Sequence, residues 1–309
     1  MPQHVAVVFV HGIFNRAIDF AAPMQRALLK LLPNETIPYV DVASVEWAGT
    51  VRHLQANFMS RVRAAYPDII DNKLRRLLVG GLGDAAAYQK TRPVKNSSYN
   101  DIQRCITDTL HRLDRNPVKN RALIFIGHSL GCHIISSYAW DLNKLKQRTQ
   151  ADIQNEPLDI QQRWKELQES SKFLRLETFA GFVTLGSNMP LFTFAFAPTD
   201  IRPITSAPPN PGGPSPTAAF PGIALDQRLL EQARWLNFFS KRDILGFPLR
   251  PLYQAFNMDP LLEDICVKSE SMGTRIVPYW SFLSAHKGYW TNKTVLQRTA
   301  ELISNIVGQ

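Results

Sequence analysis

Short, unbroken apolar runs recur along the chain, and segments with helical spacing follow them. Val5–Val10 is an apolar, β-branched run that ends at His11-Gly12, and Ala122–Ile126 is a second run of the same kind. Runs of this length without polar alternation are typical of strands buried on both faces of a parallel sheet. The pattern therefore predicts an α/β protein with a mostly parallel sheet flanked by helices.

The same two periodicities predict the other elements. Further strands are predicted at Tyr39–Trp47, Phe182–Leu185 and Trp235–Phe239, with a last strand starting at Arg275–Val277. Helices are predicted at Ala17–Leu32, Tyr99–Leu113, Cys132–Leu142 and Lys293–Val307. Ser97 or Ser98 is the expected N-cap of the second of these helices.

The strands are spread along the full length, which predicts one domain, residues 1–309, with two insertions. The first insertion, about 50–96, is helical and basic, and the second, about 144–175, is polar and helical in part. Residues 198–221 are rich in Pro, Gly, Ser and Thr and are predicted to form a loop. The basic insertion has two interpretations: a solvated face, or a cap or membrane-facing lid over the site.

The strongest chemical signal is GHSLG at Gly127–Gly131, between an apolar strand and an amphipathic helix. A sharp strand-to-helix turn of this kind exposes the hydroxyl of its central residue above the sheet edge. This context makes Ser129 the predicted nucleophile.

A serine hydroxyl needs a base, and in this strand–turn–helix arrangement the chain order is serine, acid, histidine. Among the seven histidines, His286 alone follows Ser129 at a distance, so elimination leaves it as the predicted base. The acid should follow a strand, and Asp243 comes just after Trp235–Phe239. Four rivals remain in the same interval: Asp200, Asp226, Asp259 and Asp264.

The tetrahedral intermediate of acyl transfer needs backbone N–H donors. The residue after the nucleophile, Leu130, is predicted to supply one of them. The loop after the first strand should supply the other, from Ile13 or Phe14. His11, in the same loop, is interpreted as a structural hydrogen-bonding residue.

Composition excludes several classes of protein. The 309 residues are 45% hydrophobic and 20% charged, which excludes collagen-like, coiled-coil and wholly disordered chains. The formal charge of +9 allows weak contact with an anionic membrane surface. A nucleic-acid partner is not expected, because the sequence contains no recognisable reader fold.

Cofactor, metal and targeting signals are missing from the sequence. No dinucleotide or phosphate-loop motif occurs, and no cluster has metal-ligand spacing, so neither a cofactor nor a metal is expected. Three scattered cysteines fit a reducing compartment. Without a leader or a long apolar stretch, the expected location is cytoplasmic.

Several of these segments together resemble the α/β-hydrolase fold. They are VVFVHGIFN near the start, GHSLG, RDILGFPL at Arg242–Leu249 and SAHKGYW at Ser284–Trp290. More narrowly, with Leu74–Tyr88, they are similar to lipase-like serine esterases related to the GPI inositol-deacylase group. The resemblance implies the triad Ser129, Asp243 and His286, although the first strands of the larger fold are missing here.

The expected reaction is hydrolysis of carboxylic esters through an acyl-serine intermediate, with lipid-like or other apolar acyl groups favoured. His128, Leu191 and Phe192 are the predicted substrate-binding residues, and the apolar run at Leu191–Phe196 is either core or the wall of an acyl pocket. A thioesterase or amidase would use the same triad. A non-catalytic binding module on the same fold is the alternative from another class, and the sequence leaves the oligomeric state open.

Overall fold

The computed structural model describes most of the chain. The described residues are 2–13, 19–69, 73–89, 97–115, 121–194, 196–197, 201–207, 217–256, 260–268 and 285–308. Four predictions lie outside these ranges: Phe14 as an oxyanion donor, Arg275–Val277 as a strand, and Asp200 and Asp259 as rival acids.

In the described part of the chain, six strands form one sheet in which every neighbouring pair is parallel. In chain order they are β1 (Val5–Val10), β2 (Val40–Val45), β3 (Ala122–His128), β4 (Phe179–Leu185), β5 (Arg234–Phe239) and β6 (Leu262–Cys266). The order across the sheet is β2-β1-β3-β4-β5-β6. Every residue of β1, β3 and β4 is buried, which explains their unbroken apolar sequences. The predicted α/β class with a parallel sheet is confirmed.

Helices cover both faces of the sheet. In chain order they are α1 (Ala22–Leu31), α2 (Gly49–Ala65), α3 (Lys73–Ala87), α4 (Ser98–Asp114), α5 (Leu130–Lys146), α6 (Gln150–Ile153), α7 (Leu158–Glu169), α8 (Met189–Thr193), α9 (Gln227–Gln232) and α10 (Lys293–Val307). Short 3-10 helices lie at Ile37–Tyr39, Arg250–Phe256 and Gly288–Thr291. α1, α9 and α10 pack on one face of the sheet, and α4 and α5 pack on the other.

The basic insertion contributes α2 and α3, which are joined where Gln55 Nε2 donates to Asp84 Oδ1 at 2.8 Å. On α2, Leu54 and Phe58 are about half exposed, one helical turn apart. Contact of this insertion with a membrane surface stays a prediction. In the described residues, no helix combines the length and the apolar character needed to cross a bilayer.

Two of the differences from the sequence prediction concern β6 and α1. β6 was not predicted, because its sequence LEDIC carries two acidic residues. Among the described strands it lies at one edge of the sheet, where it pairs with β5, and edge strands commonly carry charged side chains. The first helix begins at Ala22 rather than at Ala17, after a turn in which Ala22 N donates to Asp19 O. Pro23 fits this start, since the first helical turn needs no N–H from it.

Candidate active site

Ser129 occupies the turn between β3 and α5. Its backbone dihedral angles are φ 54° and ψ −123°, a conformation that is rare for residues with a side chain. Such a conformation costs about 1–3 kcal/mol and persists only where the surroundings hold it. Here Ser129 N donates to Leu185 O at 2.9 Å, which ties the turn to the end of β4.

Two glycines allow the chain to approach this turn closely. A Cβ atom on Gly131 would overlap the carbonyl oxygen of Val10, and a Cβ atom on Gly12 would overlap Ser129 Cβ. The same position on Gly12 lies 3.1 Å from Ser129 Oγ. The loop after β1 is therefore pressed against the serine, and a side chain at either glycine would push the two apart.

His286 and Asp243 form a buried pair. His286 Nδ1 lies 3.0 Å from Asp243 Oδ1 and 2.9 Å from Asp243 Oδ2. Because a carboxylate can only accept, Nδ1 carries the proton and donates it. In a neutral imidazole the other nitrogen, Nε2, then bears a lone pair and can take up a proton.

Asp243 is held by more than the histidine. Leu245 N donates to its Oδ1 at 3.0 Å, and the Tyr289 hydroxyl donates to its Oδ2 at 2.9 Å. Burial by itself raises the pKa of this carboxyl, but the hydrogen bonds and the charge of His286 outweigh burial and hold the pKa below its usual value. Burial, and next the charge of Asp243, raise the pKa of Tyr289, so its phenol stays protonated and donates.

Two buried atoms of this region have no hydrogen-bond partner among the described residues: Ser129 Oγ and His286 Nε2. They lie on either side of the end of β4. The carbonyl of Leu185 accepts from Ser129, and a Cβ atom on the next residue, Gly186, would lie 2.8 Å from Asp243 Oδ2 and 3.2 Å from His286 Nδ1. A hydroxyl and an imidazole nitrogen thus both stay unsatisfied near the end of β4, although most buried polar atoms have a partner.

The predicted oxyanion donors border the serine. Leu130 is the first residue of α5, and the N–H groups of a helix's first turn have no acceptor within the helix. Ile13 is partly buried and packs against the core beside the loop that Gly12 brings close to Ser129. Both assignments stay predictions, and Phe14 lies outside the described residues.

The described rivals of Asp243 are occupied elsewhere. Asp226 caps α9, where its Oδ1 accepts from Leu229 N at 2.8 Å. Asp264 lies on β6 and accepts from Asn237 Nδ2 and from the backbone N–H groups of Leu249 and Arg250. In the described part of the chain neither carboxylate is hydrogen-bonded to a histidine, whereas both oxygens of Asp243 lie within hydrogen-bond distance of His286 Nδ1.

The other two histidines near the site are anchored to backbone carbonyls. His128 Nε2 donates to His286 O at 2.7 Å, and burial, mainly, lowers the pKa of His128 to about 3. His11 Nδ1 donates to Gly12 O at 2.8 Å and stacks on Trp47, and burial, mainly, lowers its pKa to about 4. Both rings are neutral near pH 7 and hold loops in place. His128, predicted to bind substrate, lies buried against the backbone of the predicted base.

The predicted substrate-binding residues of the apolar run lie on α8. Leu191 is 42% exposed, and Phe192 stacks on His133 with ring centroids 4.3 Å apart. Phe192 lines a cavity of about 560 Å³, and none of Ser129, Asp243 and His286 lines it. Phe192 also packs against the hydrophobic core, so both interpretations, core and pocket wall, stay open.

Two functional contacts escaped the sequence analysis. The His128–His286 hydrogen bond joins residues 158 positions apart, and no local pattern indicates it. Tyr289 could have been found, since a hydroxyl-bearing aromatic residue comes one turn after His286 in HKGY. Its side chain is fully buried with its hydroxyl on Asp243.

Comparison of the chain with protein-family models, with curated proteins and with solved structures finds no match. The chemistry of the site is therefore inferred from its own geometry.

Proposed function

We propose that this protein is a serine hydrolase of the α/β-hydrolase type that cleaves carboxylic esters. Ser129 is the nucleophile, His286 the general base and Asp243 the residue that orients the base. The observation that carries the proposal is the pair of unsatisfied buried atoms, Ser129 Oγ and His286 Nε2, beside a carboxylate that fixes the imidazole tautomer.

The first half-reaction uses the lone pair on His286 Nε2. The imidazole takes the proton of Ser129 Oγ as the oxygen attacks the ester carbonyl carbon. The resulting imidazolium is stabilised by Asp243, whose lowered pKa keeps it ionised at neutral pH. The carbonyl oxygen becomes an oxyanion, which the N–H groups of Leu130 and Ile13 receive in this proposal.

The second half-reaction regenerates the serine. Collapse of the tetrahedral intermediate expels the alcohol, which takes the proton from His286, and leaves an acyl group on Ser129. Water then attacks the acyl carbon while His286 accepts its proton. The acid is released, and the same proton returns to Ser129 Oγ.

Two further observations support an ester substrate on this fold. The strand–turn–helix at Ser129 has the positive φ angle expected of a nucleophile elbow. The sequence segments around it resemble lipase-like serine esterases, in which such a triad hydrolyses esters. Thioesters and amides react through the same intermediates, so the choice of ester rests on the resemblance.

Hydrolysis of p-nitrophenyl acetate tests the proposal. We expect turnover by the wild type and a loss of about 10³-fold or more in Ser129→Ala, because the nucleophile acts together with its base. Ser187→Ala is the matched control, since Ser187 is also buried and lies at the end of β4 with its hydroxyl accepting from Met189 N. We expect Ser187→Ala to hydrolyse p-nitrophenyl acetate at the wild-type rate.

Labelling by a fluorophosphonate gives an independent readout. The wild type and the Ser187→Ala control should be labelled, and Ser129→Ala should not. Equal background hydrolysis in all three proteins, with no labelling of the wild type, would overturn the proposal in favour of a non-catalytic binding module.

A further inference from the structure

The cavity of about 560 Å³ follows one face of α5. The residues of α5 that line it are spaced three or four apart, as on one side of a helix: His133, Ser136, Ser137, Trp140, Asp141 and Lys144. The sheet-facing residues of α5, such as Ile134 and Ile135, are fully buried in the core. The cavity therefore lies between α5 and the segments that cover its other side.

Those covering segments are rich in aromatic rings. They come from the end of α3, from α4, from the region of α8 and from the 3-10 helix at Arg250–Phe256. The rings are Tyr88, Tyr99, Phe192, Phe196 and Tyr253. With Trp140 they give the cavity broad apolar walls, which suit the apolar body of a ligand.

One end of the cavity lies next to the proposed nucleophile. His133 follows Ser129 by one turn of α5, a rise of about 6 Å. Phe192 stacks on His133, and Met189 lines the same end just beyond β4. Burial lowers the pKa of His133 to about 4, so this end carries no charge at neutral pH.

The other end carries positive charge. Lys144 lies on α5 about 16 Å beyond His133, with its ammonium 5.2 Å from the centre of the Trp140 ring. Arg202 belongs to a segment that is fixed near this end. Ala219 N and Phe220 N donate to Ile204 O, and Asn143 and Gln147 on α5 donate to Thr217 O.

One carboxylate also lines the cavity, that of Asp141. It accepts a hydrogen bond from the Tyr99 hydroxyl at 2.8 Å. Two cationic side chains against one carboxylate leave the lining with an excess of positive charge. An anionic group at the far end of a bound molecule is thus favoured over a cationic one.

We propose that this cavity binds the acyl arm of the ester substrate, and that the preferred arm is an apolar chain ending in an anionic group. The apolar chain lies against the aromatic walls, and the anionic end meets Lys144, at the end of a cavity that Arg202 also lines. This inference rests on the proposed function, because it places the ester carbonyl at Ser129.

Three p-nitrophenyl esters test the arm. The acetate has no arm, the octanoate has a neutral arm, and the sebacic acid monoester has an arm that ends in a carboxylate. We expect kcat/KM to rise from acetate to octanoate to sebacate. Ser136→Trp, whose larger side chain occupies part of the cavity, should lower kcat/KM for both armed esters by about tenfold or more relative to kcat/KM for the acetate.

Charge reversal at the far end tests the anionic group. Lys144→Glu should lower kcat/KM for the sebacate by about fivefold relative to the octanoate, the upper range for an exposed ion pair. Lys30→Glu is the matched control, because it makes the same change at an exposed lysine of α1, on the opposite face of the sheet. It should leave the ratio of the two rates unchanged.

The outcomes separate this inference from the proposed function. If the wild type hydrolyses none of the esters and is not labelled by a fluorophosphonate, the proposed function fails, and this inference fails with it. If the acetate is hydrolysed but Ser136→Trp spares the armed esters, the cavity does not hold the arm. If Lys144→Glu affects octanoate and sebacate equally, the anionic preference is overturned.

Discussion

The loop after β5 and the edge strand β6 each carry a carboxylate, and the two differ in what donates to them. Asp264 on β6 accepts from the Asn237 side chain at 2.6 Å and from two backbone N–H groups at 2.9 and 2.8 Å. Asp243 in the loop accepts from one backbone N–H, one phenol and an imidazole. Among these donors, only the His286 imidazole has a second polar atom, Nε2, that lacks a hydrogen-bond partner in the described part of the chain.

This difference separates a structural carboxylate from the carboxylate of the proposed triad. Two donors of Asp264 are the backbone N–H groups that fix the start of the segment Leu249–Arg250. The third, the Asn237 amide, is itself held by Phe247 O and the Thr184 hydroxyl. The hydrogen bond from His286 Nδ1 to Asp243 keeps the proton on Nδ1. The other ring nitrogen, Nε2, therefore keeps its lone pair. The two carboxylates can thus be told apart by their hydrogen-bond partners.

The largest effect should come from Asp243→Asn. The amide removes the negative charge that stabilises the imidazolium and no longer selects the Nδ1–H tautomer, so kcat/KM should fall by about 10³- to 10⁴-fold. Ester hydrolysis measures this loss, and circular dichroism checks that the fold is retained. A loss below about tenfold would remove Asp243 from the proposed triad.

Asp264→Asn should lower the free energy of unfolding and leave the hydrolytic rate nearly unchanged. The amide nitrogen would face backbone N–H donors, and leaving one of them unsatisfied costs about 1–3 kcal/mol in the free energy of unfolding. Urea denaturation measures this change. The folded variant should retain kcat/KM within a few fold, and a loss as large as that of Asp243→Asn would make the two carboxylates equivalent.

Tyr289→Phe should have a smaller effect than either aspartate variant. It removes one of the hydrogen bonds to Asp243 and leaves the imidazole contact in place. We expect a loss of about 1 kcal/mol in the free energy of unfolding and a fall in kcat/KM of less than about tenfold. Rates measured with p-nitrophenyl acetate would contradict this if they fell as far as in Asp243→Asn.

The smallest effect concerns pH. The pKa of Asp243 is lowered in the folded protein, so its ionisation adds stability that is fully present above the unfolded value of about 3.9. That stability is lost as the pH falls through the folded pKa. Urea unfolding of wild type and Asp243→Asn, from about pH 6 to about pH 3, should show a stability difference that shrinks at low pH. A difference that grows would reverse the sign of the shift.

Local patterns predicted the parts of the fold whose burial is complete. β1 and β3 are buried at every residue, so their sequences are mostly apolar runs that polar positions do not interrupt. The last helix was predicted at Lys293–Val307, where the structure has it, because its apolar stripe is regular and Asn292 caps it. β6 escaped prediction because Glu263 and Asp264 interrupt its apolar sequence.

The candidate site was predictable to the extent that chain order and turn geometry dictate it. Ser129 follows from the glycines on either side of it, and His286 follows from elimination. The choice between Asp243 and Asp264 needs contacts across strands, which the sequence does not carry. The role of His128 likewise depends on a contact with a residue far along the chain.

The position of α10 has a consequence for how the protein is made. β1, the earliest strand in the chain, pairs with β2 and β3, and its Val5, Val7 and Phe9 belong to the same core as Val295 and Ile303 of α10. Gln3 N also donates to Val307 O at 2.9 Å. During synthesis on the ribosome, one face of β1 can pack against α10 only after about 290 further residues have been translated. Contacts of such sequence separation slow folding. The apolar face of β1, which α1 covers in part, therefore stays incompletely covered until α10 has been synthesised.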